Sequence, residues 1–146
     1  LIEHIKINLK FSVQSDIDLP IIEIKNNNQI VFPSTKISDQ QEIEFDLFLQ
    51  NDICQTGTFE IHRSNFDGMN NQLLTLNEMF LDGINLSKIC FHGKYYPEYP
   101  EPWFTQQKES GSDWPEYITG AQSWGWNGKW ILEYNTPIYD WLLKNV

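Results

Sequence analysis

The first ninety residues of this 146-residue chain contain no tryptophan and no tyrosine, and all six residues of each type follow position 94. The chain also has only two cysteines, Cys54 and Cys90, which excludes a small fold held together by several disulfides. No stretch approaches eighteen consecutive apolar residues, so no membrane-spanning helix is expected. No basic segment followed by an apolar one opens the chain, so no signal peptide is visible.

Positive charge is scarce as well. Ten lysines and arginines face twenty aspartates and glutamates, which gives a formal net charge of -10. An acidic chain repels phosphate backbones, so we do not expect nucleic-acid binding, and solubility is the simpler role of the charge. The length predicts one domain over residues 1–146, with a sandwich core at 1–90 and an aromatic-rich part at 91–146 packed on it.

The usual catalytic motifs are missing. The chain has no CxxC, no GxSxG, no Walker loop and no GxGxxG after a strand. Cys90 and His92 could form a thiol–imidazole pair, but nothing near them in the sequence would orient it. A buried free thiol is the simpler interpretation of Cys90, although a disulfide with Cys54 stays open.

Paired carboxylates are the remaining catalytic candidates, because glycosidases need two. Four glutamates lie among the aromatic residues: Glu98, Glu101, Glu116 and Glu133. Any acidic chain offers such pairs by chance, and charges at a rim or in turns explain them more simply. We therefore expect a protein that is not an enzyme.

Alternation of apolar and polar residues with a period of two predicts strands through most of the first ninety positions. Ile5 to Val13 and Ile43 to Leu49 alternate most regularly. Asn26-Asn27-Asn28 and Asp82-Gly83 are typical of hairpin turns. Short, evenly spaced strands without helical periodicity predict a mainly β protein, an antiparallel β-sandwich or jelly roll.

The last third has a different pattern. Prolines at 97, 100 and 102 interrupt any regular ladder, and Phe104 to Glu109 is predicted to form a short helix. Asn127-Gly128 predicts a hairpin between the aromatic strands on either side of it. A terminal helix is predicted over residues 137–145, with Thr136 as its N-cap.

A calcium ion is the one cofactor that the residue types suggest. Asp67, Asn70 and Asp82 could supply oxygen ligands from loops, although their spacing is not that of an EF-hand. Loop aspartates and asparagines are more often turn formers. No other cofactor is expected.

The aromatic residues of the last third are the main functional signal. Tryptophan and tyrosine combine a flat apolar body with a polar tip, which suits both cores and exposed recognition surfaces. The rings therefore form either a second small core or a platform for a ligand or partner. The candidate binding residues are Tyr95, Tyr96, Tyr99, Trp103, Trp114, Trp124 and Trp126.

Two resemblances bear on function. The run from Phe91 to Trp103, the later Trp126 to Trp130 and the ending Tyr139 to Leu143 resemble small proteins of tailed phages from aquatic bacteria, which implies no particular activity. In residues 3–90, a strand such as Asn71-Gln72-Leu73-Leu74 leads to the hairpin at Asp82-Gly83. That part is similar to calcium-dependent xylan-binding β-sandwich modules.

These observations predict a non-catalytic carbohydrate-binding β-sandwich that uses aromatic stacking. The phage resemblance implies a place on a virion or on an extracellular surface. The alternative is a structural virion protein, for capsid decoration or at the tail, that docks through its aromatic segment. The expected partner is accordingly a glycan or a structural protein, and the oligomeric state is left open.

Overall fold

The protein is described by a computed structural model that covers residues 2–50 and 52–146. Within those residues the chain forms eleven strands and three short helices. The strands are β1 Ile2–Ser15, β2 Ile21–Asn26, β3 Gln29–Lys36, β4 Glu42–Gln50, β5 Gln55–Ser64, β6 Gln72–Leu81, β7 Ile84–Asn85, β8 Lys94–Pro97, β9 Ile118–Thr119, β10 Ser123–Trp124 and β11 Gly128–Thr136. The helices are α1 Ser87–Cys90, α2 Trp103–Glu109 and α3 Ile138–Asn145.

The strands form two sheets. The first has the order β10-β6-β1-β4, with β7 paired to β6, and the second has the order β3-β2-β5-β11-β8-β9. Every strand pairing between these elements is antiparallel. The predicted fold class, a mainly β antiparallel sandwich, is confirmed.

The alternating strands bury the faces that the sequence predicts. In β1, Ile5, Ile7, Leu9 and Phe11 are buried, and the polar residues between them point away from the core. Strand β4 repeats the pattern, with its apolar odd-numbered positions buried and its even-numbered positions exposed. Each sheet therefore contributes one apolar face to the core between them.

Strand β6 changes phase at a β-bulge. Leu74 and Leu76 are buried before it, and Met79 and Leu81 after it, so the buried positions switch from even to odd. Lys10 pairs with Glu78 while Phe11 pairs with Leu76, which leaves Asn77 as the extra residue. A bulge re-aims the side chains that follow it, and it explains the irregular pattern of this segment in the sequence.

Two predicted hairpin turns are confirmed. Asn27 and Asn28 have φ values of 49° and 65° in the turn between β2 and β3. Asp82 and Gly83 have φ values of 47° and 81° between β6 and β7. Two consecutive residues with positive φ are the requirement of a type I′ turn, which asparagine, aspartate and glycine meet most easily.

The predicted hairpin at Asn127-Gly128 is wrong. Strand β10 pairs with β6 in the first sheet, whereas β11 pairs with β5 and β8 in the second. The chain therefore passes from one sheet to the other at residues 125–127, a segment that we call the crossover. Trp124 and Trp130, on its two sides, are both buried between the sheets, and that burial outweighs the local turn preference.

The last third of the chain is also part of the core and not a layer added to residues 1–90. Strand β11 lies inside the second sheet, and its Trp130 is fully buried. A continuous row of rings runs from Tyr95 through Trp124, Trp130 and Phe59 to Phe45, with successive centroids 5.1 to 6.3 Å apart. The predicted division at residue 90 therefore does not match the packing.

The two predicted helices are present. Helix α2 begins after Pro102, and α3 packs Ile138 and Leu142 into the core. Thr136 is not the N-cap of α3: it ends β11, and its hydroxyl donates to the carbonyl of Ile53 at 2.6 Å. Across residues 2–50 and 52–146, no helix has both the length and the apolar character needed to cross a bilayer.

The two cysteines are free thiols in different surroundings. Cys54 is exposed, and Cys90 is buried on α1, where burial raises the pKa of its thiol to about 12. A buried thiol with so high a pKa is a poor nucleophile, so the packing interpretation of Cys90 is confirmed.

Thiol titration checks this difference. We expect a thiol-specific reagent to modify one cysteine per native chain at neutral pH and two after denaturation, because only Cys54 is accessible. Cys54→Ser should abolish the fast reaction of the native protein. Rapid modification of native Cys54→Ser would contradict the burial of Cys90.

Two glycines beside the crossover allow a matched test of its packing. Neither Gly125 nor Gly128 has a positive φ. A Cβ on Gly128 would lie 2.4 Å from the carbonyl oxygen of Tyr96, whereas a Cβ on Gly125 would meet only Leu73 Cδ1, at 3.8 Å. We expect Gly128→Ala to lower the free energy of unfolding by about 3 kcal/mol, since backbone cannot give way cheaply.

Gly125→Ala should change the free energy of unfolding by less than about 1 kcal/mol, as is usual where the added methyl has room. Urea denaturation of both variants gives the comparison. Equal losses in the two variants would mean that the chain does not cross between the sheets in this way.

Candidate functional site

The crossover brings one tryptophan to the rim of the sandwich. Trp126 lies between the buried Trp124 and Trp130 but is itself only half-buried. The phenol of Tyr95 donates a hydrogen bond of 2.5 Å to the carbonyl oxygen of Trp126. Burial raises the pKa of Tyr95, so the phenol stays protonated and remains a donor. A core residue therefore fixes the backbone of a residue at the surface.

Trp126 is the inner member of a group of five rings that we call the rim cluster. The rim cluster consists of Tyr99, Trp103, Phe104, Trp114 and Trp126. The centroid of Trp126 lies 5.2 Å from that of Tyr99, 5.5 Å from Trp103 and 6.2 Å from Trp114. Most of these pairs are tilted or edge-to-face, which is the favourable geometry for aromatic contacts. The rings hold one another in place without closing into a core.

The rim cluster stays open to solvent. None of its five side chains is fully buried, and 41% of Trp114 is exposed. Tyr99 ties the loop before β9 to the end of β8, because its hydroxyl donates to the carbonyl of Pro115 at 2.5 Å. The structure thus brings together Tyr99, Trp103, Trp114 and Trp126, four of the seven predicted binding residues.

Two predicted binding residues do not fit this site. Only 3% of Tyr95 and 1% of Trp124 is exposed, and their rings stack on each other at 5.1 Å inside the core. Neither ring has a face left for a ligand, so their assignment as ligand contacts is corrected. Both residues instead support the crossover, Tyr95 through its phenol and Trp124 by packing.

Tyr96 lies apart from the rim cluster. Adjacent residues of a strand point to opposite faces, so Tyr96 faces outward while Tyr95 faces the core. Its ring contacts that of Tyr117 at 5.4 Å, and the ammonium of Lys94 lies 4.7 Å from the centroid of Tyr117. This small outer group is separate from the five rings around Trp126.

A groove runs beside Trp126. It encloses about 580 Å³, within the size range of sites for small molecules. Its lining combines Trp126 and Phe66 with polar side chains from the end of β1 and the start of β6. The lining residues are Gln14, Ser15, Asp16, Phe66, Asn71, Gln72, Leu73, Gly125 and Trp126.

Gln72 forms a rigid part of the groove. Its side chain is only 7% exposed, and its Nε2 donates to the carbonyl oxygens of Asp18 and Asn65 at 3.0 and 3.2 Å. These two bonds determine the orientation of the amide, while Oε1 is buried and receives no hydrogen bond from another described residue. Gln72 therefore holds the wall of the groove in place through Nε2, and its oxygen is not presented to the groove.

A buried arginine supports the groove from below. Arg63 is 2% exposed. Its guanidinium donates to the backbone carbonyl oxygen of Gln72 at 2.7 Å and to Oδ1 of Asn127 at 3.1 Å. Among residues 2–50 and 52–146 no carboxylate pairs with it, and loss of solvent lowers its pKa. The side chain of Asn127 also makes two hydrogen bonds to the backbone of Phe66. One polar network thus joins the crossover to the loop that carries Phe66.

The predicted calcium ligands do not converge. Asp67 precedes β6 and Asp82 follows it, so a ten-residue strand, roughly 30 Å at its usual rise, separates them. The carboxylate of Asp67 already accepts hydrogen bonds from the backbone N–H groups of Met69 and Asn70. The carboxylate of Asp82 accepts from the backbone N–H of Lys6 and from the hydroxyl of Tyr139. In the described part of the chain no three histidine, cysteine, aspartate or glutamate side chains are grouped to hold a metal. Asp67, Asn70 and Asp82 therefore do not lie together at one site, and the expectation of calcium stays a prediction.

Sequence reasoning missed the polar half of the groove. Gln14 and Asp16 carry no motif, and Gln72 was noted only as part of a strand pattern. The three residues meet because Ser15 pairs with Gln72 across β1 and β6. It also missed Phe104, whose ring stacks on Tyr99 at 4.9 Å. Its place in the predicted helix directly after Trp103 was the only available signal.

One edge of the groove depends on Asp18, and this dependence can be tested by pH. Hydrogen bonds from Lys36, the backbone of Leu19 and Asn65 lower the pKa of this carboxyl from 3.8 to about 2. A carboxyl whose pKa is lower in the folded than in the unfolded chain stabilises the fold at pH values above its unfolded pKa. This stabilisation is lost as the pH falls toward 2. We expect the free energy of unfolding to fall less steeply between pH 4 and 2 in Asp18→Asn.

The measurement is chemical denaturation at several pH values in that window. Asp113→Asn is the control, since the Asp113 carboxylate is exposed and receives no hydrogen bond from another described residue. If the free energy of unfolding of Asp18→Asn falls as steeply with pH as that of the unchanged chain, the contacts of the Asp18 carboxylate do not stabilise the fold.

Comparison with known proteins identifies a likeness in fold. No protein-family model matches the chain, and no curated protein matches it in sequence. A solved structure described as vCBM60 in complex with galactobiose superimposes with a TM-score of 0.57 over 90% of this chain and 99% of the other, at 8% sequence identity. At this identity the likeness concerns the fold alone. The chain therefore shares its β-sandwich architecture with a carbohydrate-binding module.

Proposed function

We propose that the chain binds carbohydrate, without catalysis, in the groove beside Trp126. The observation that carries the proposal is the combination of a half-buried tryptophan with a groove of about 580 Å³ lined by amide, hydroxyl and carboxylate groups. Sugars present apolar C–H faces and a ring of hydroxyls, so an aromatic wall beside polar side chains complements both parts.

The rim cluster supports this function by orienting Trp126. Tyr99, Trp103 and Trp114 contact its ring, while Tyr95 holds its backbone. A stacking ring that is already fixed loses little conformational entropy when a ligand binds, which favours affinity. Trp114, with 41% exposure, offers a further surface for a longer chain of sugar residues.

The likeness to a module solved with galactobiose supports the same proposal, because that module has this architecture and binds a disaccharide. The expected place on a virion or an extracellular surface stays a prediction. So does the alternative of a structural virion protein that docks through its aromatic segment, as does the expectation that the chain is not an enzyme.

Substitution of Trp126 tests the proposal. We expect Trp126→Ala to weaken binding to a responding glycan by about 30-fold, since truncation of a central aromatic contact costs about 2 kcal/mol. A panel of oligosaccharides that includes galactobiose, followed by titration calorimetry with the ligands that bind, provides the measurement. Thermal unfolding confirms that the variant is folded.

Trp141→Ala is the matched control. Trp141 is also half-buried, but it packs on Tyr134 and lies on α3, outside the groove. Its loss should leave the affinity for the glycan unchanged. The absence of binding to every glycan at millimolar concentration, or equal losses in the two variants, would overturn the proposal.

A further inference from the structure

We propose that the ligand is a neutral oligosaccharide longer than a disaccharide, which passes from the groove over the backbone at Gly125 into a second hollow beside Trp126. This inference rests on the proposed carbohydrate binding and adds the length, the charge and the path of the ligand. It follows from the position of the hollow, the gap at Gly125 and the groups that line the hollow.

The second hollow adjoins the groove at the crossover. It encloses about 220 Å³ and shares Gly125 and Trp126 with the groove. Its other lining residues are Tyr95, Pro97, Ile118, Ala121, Ser123 and Trp124. The two spaces have no further lining residue in common, so the crossover is the boundary between them.

Gly125 keeps this boundary low. It is partly exposed and has no side chain. Apart from its chain neighbours, a Cβ placed on it would meet only Leu73 Cδ1, at 3.8 Å, so open space adjoins its backbone. The next residue is Trp126, whose carbonyl is held by the phenol of Tyr95. A sugar chain can therefore cross the backbone at Gly125 and keep its contact with Trp126.

The second hollow is too small to be a site on its own. Sites for small molecules usually enclose roughly 300 to 1,000 Å³. As an extension of the groove, however, it offers further contacts without a second loss of translational and rotational freedom. A ligand that reaches both spaces therefore binds more tightly than one that fills the groove alone.

The second hollow is pre-formed and carries no charge. Tyr95 and Trp124 stack on each other at its floor, and their polar atoms are already bonded to its walls. Tyr95 donates to the carbonyl of Trp126, and Nε1 of Trp124 donates to the carbonyl of Ala121 at 3.0 Å. Tyr95 is the only ionisable side chain in the lining, and burial raises its pKa. A charged sugar would lose water there without gaining a charged partner, so a neutral sugar fits better.

Ile118 provides an apolar wall that is open to a ligand. Its side chain is 41% exposed, and it lies on the two-residue strand β9, opposite Tyr95 of β8. The C–H face of a sugar that packs on Ile118 removes apolar surface from water, which is favourable. The tightly buried Tyr95 and Trp124 support this wall and need not contact the ligand themselves.

Ligand length provides the test. Dissociation constants are measured by titration calorimetry for two neutral series, galacto-oligosaccharides and cello-oligosaccharides, each from the disaccharide to the tetrasaccharide. The length ratio is the dissociation constant of the disaccharide divided by that of the tetrasaccharide. We expect a length ratio of at least about ten in one series, because the longer ligand gains the contacts of the second hollow. A ratio below about three in both series would overturn the inference.

Two isoleucines form a matched pair of variants. Ile118→Ala removes the wall of the second hollow, so the length ratio should fall below about three. Ile84→Ala is the control, because Ile84 is 38% exposed on the two-residue strand β7 and lines neither space. It should leave the length ratio unchanged. Thermal unfolding shows that both variants are folded, and equal effects of the two would contradict the proposed path.

Gly125→Leu tests the path independently of β9. Gly125 has no positive φ, so its backbone accepts a side chain, and a leucine there would lie across the boundary between the two spaces. We expect the length ratio to fall below about three in this variant as well. An unchanged ratio would mean that the ligand does not pass over Gly125.

The outcomes separate this inference from the proposed function. If the disaccharides bind as tightly as the tetrasaccharides, or if only charged glycans bind, carbohydrate binding stands and this inference is wrong. If Trp114→Ala lowers the length ratio and Ile118→Ala does not, the ligand extends along the rim cluster, which also overturns it. If no sugar binds, both proposals fail.

Discussion

The crossover between the two sheets is the constraint on which the rest of this molecule depends. Strand β10 belongs to one sheet and β11 to the other, with only residues 125–127 between them. Trp124 and Trp130 must both reach the core from this short connection. Gly128 has to pass against the backbone of Tyr96, where no side chain fits. Trp126, between the two buried rings, is thereby held at the rim.

The aromatic residues consequently divide into two groups with different physical roles. The inner row, from Tyr95 to Phe45, joins the sheets by apolar burial, the main favourable term in folding. The rim cluster is only partly buried, so part of its apolar surface remains available for binding. The phenol of Tyr95 connects the groups through the carbonyl of Trp126. A rigid core thus determines the position of a ring at the surface.

Local patterns predicted the strands and two of the turns because each depends on neighbouring residues. The alternation in β1 and β4 reports directly which face is buried, and Asn27-Asn28 and Asp82-Gly83 carry their own backbone preference. Asn127-Gly128 has the same local character but a different structure, since the partners of β10 and β11 are strands distant in sequence. The rim cluster was predicted in part by its dense aromatic segment. The polar lining of the groove was not, because register alone brings Gln72 beside Ser15.

The sequence by itself therefore determined the class of fold and the region in which to look for a binding surface. Periodicity and composition are local quantities, and both are sufficient for those conclusions. Only the tertiary structure decided which tryptophans are buried, that Asp67 and Asp82 lie at opposite ends of β6, and that a groove with a polar lining adjoins Trp126. These facts depend on how distant strands pair. The placement of every tryptophan and tyrosine after position 94 indicated that the last third of the chain is rich in aromatic residues. It could not indicate which of these rings pack between the two sheets.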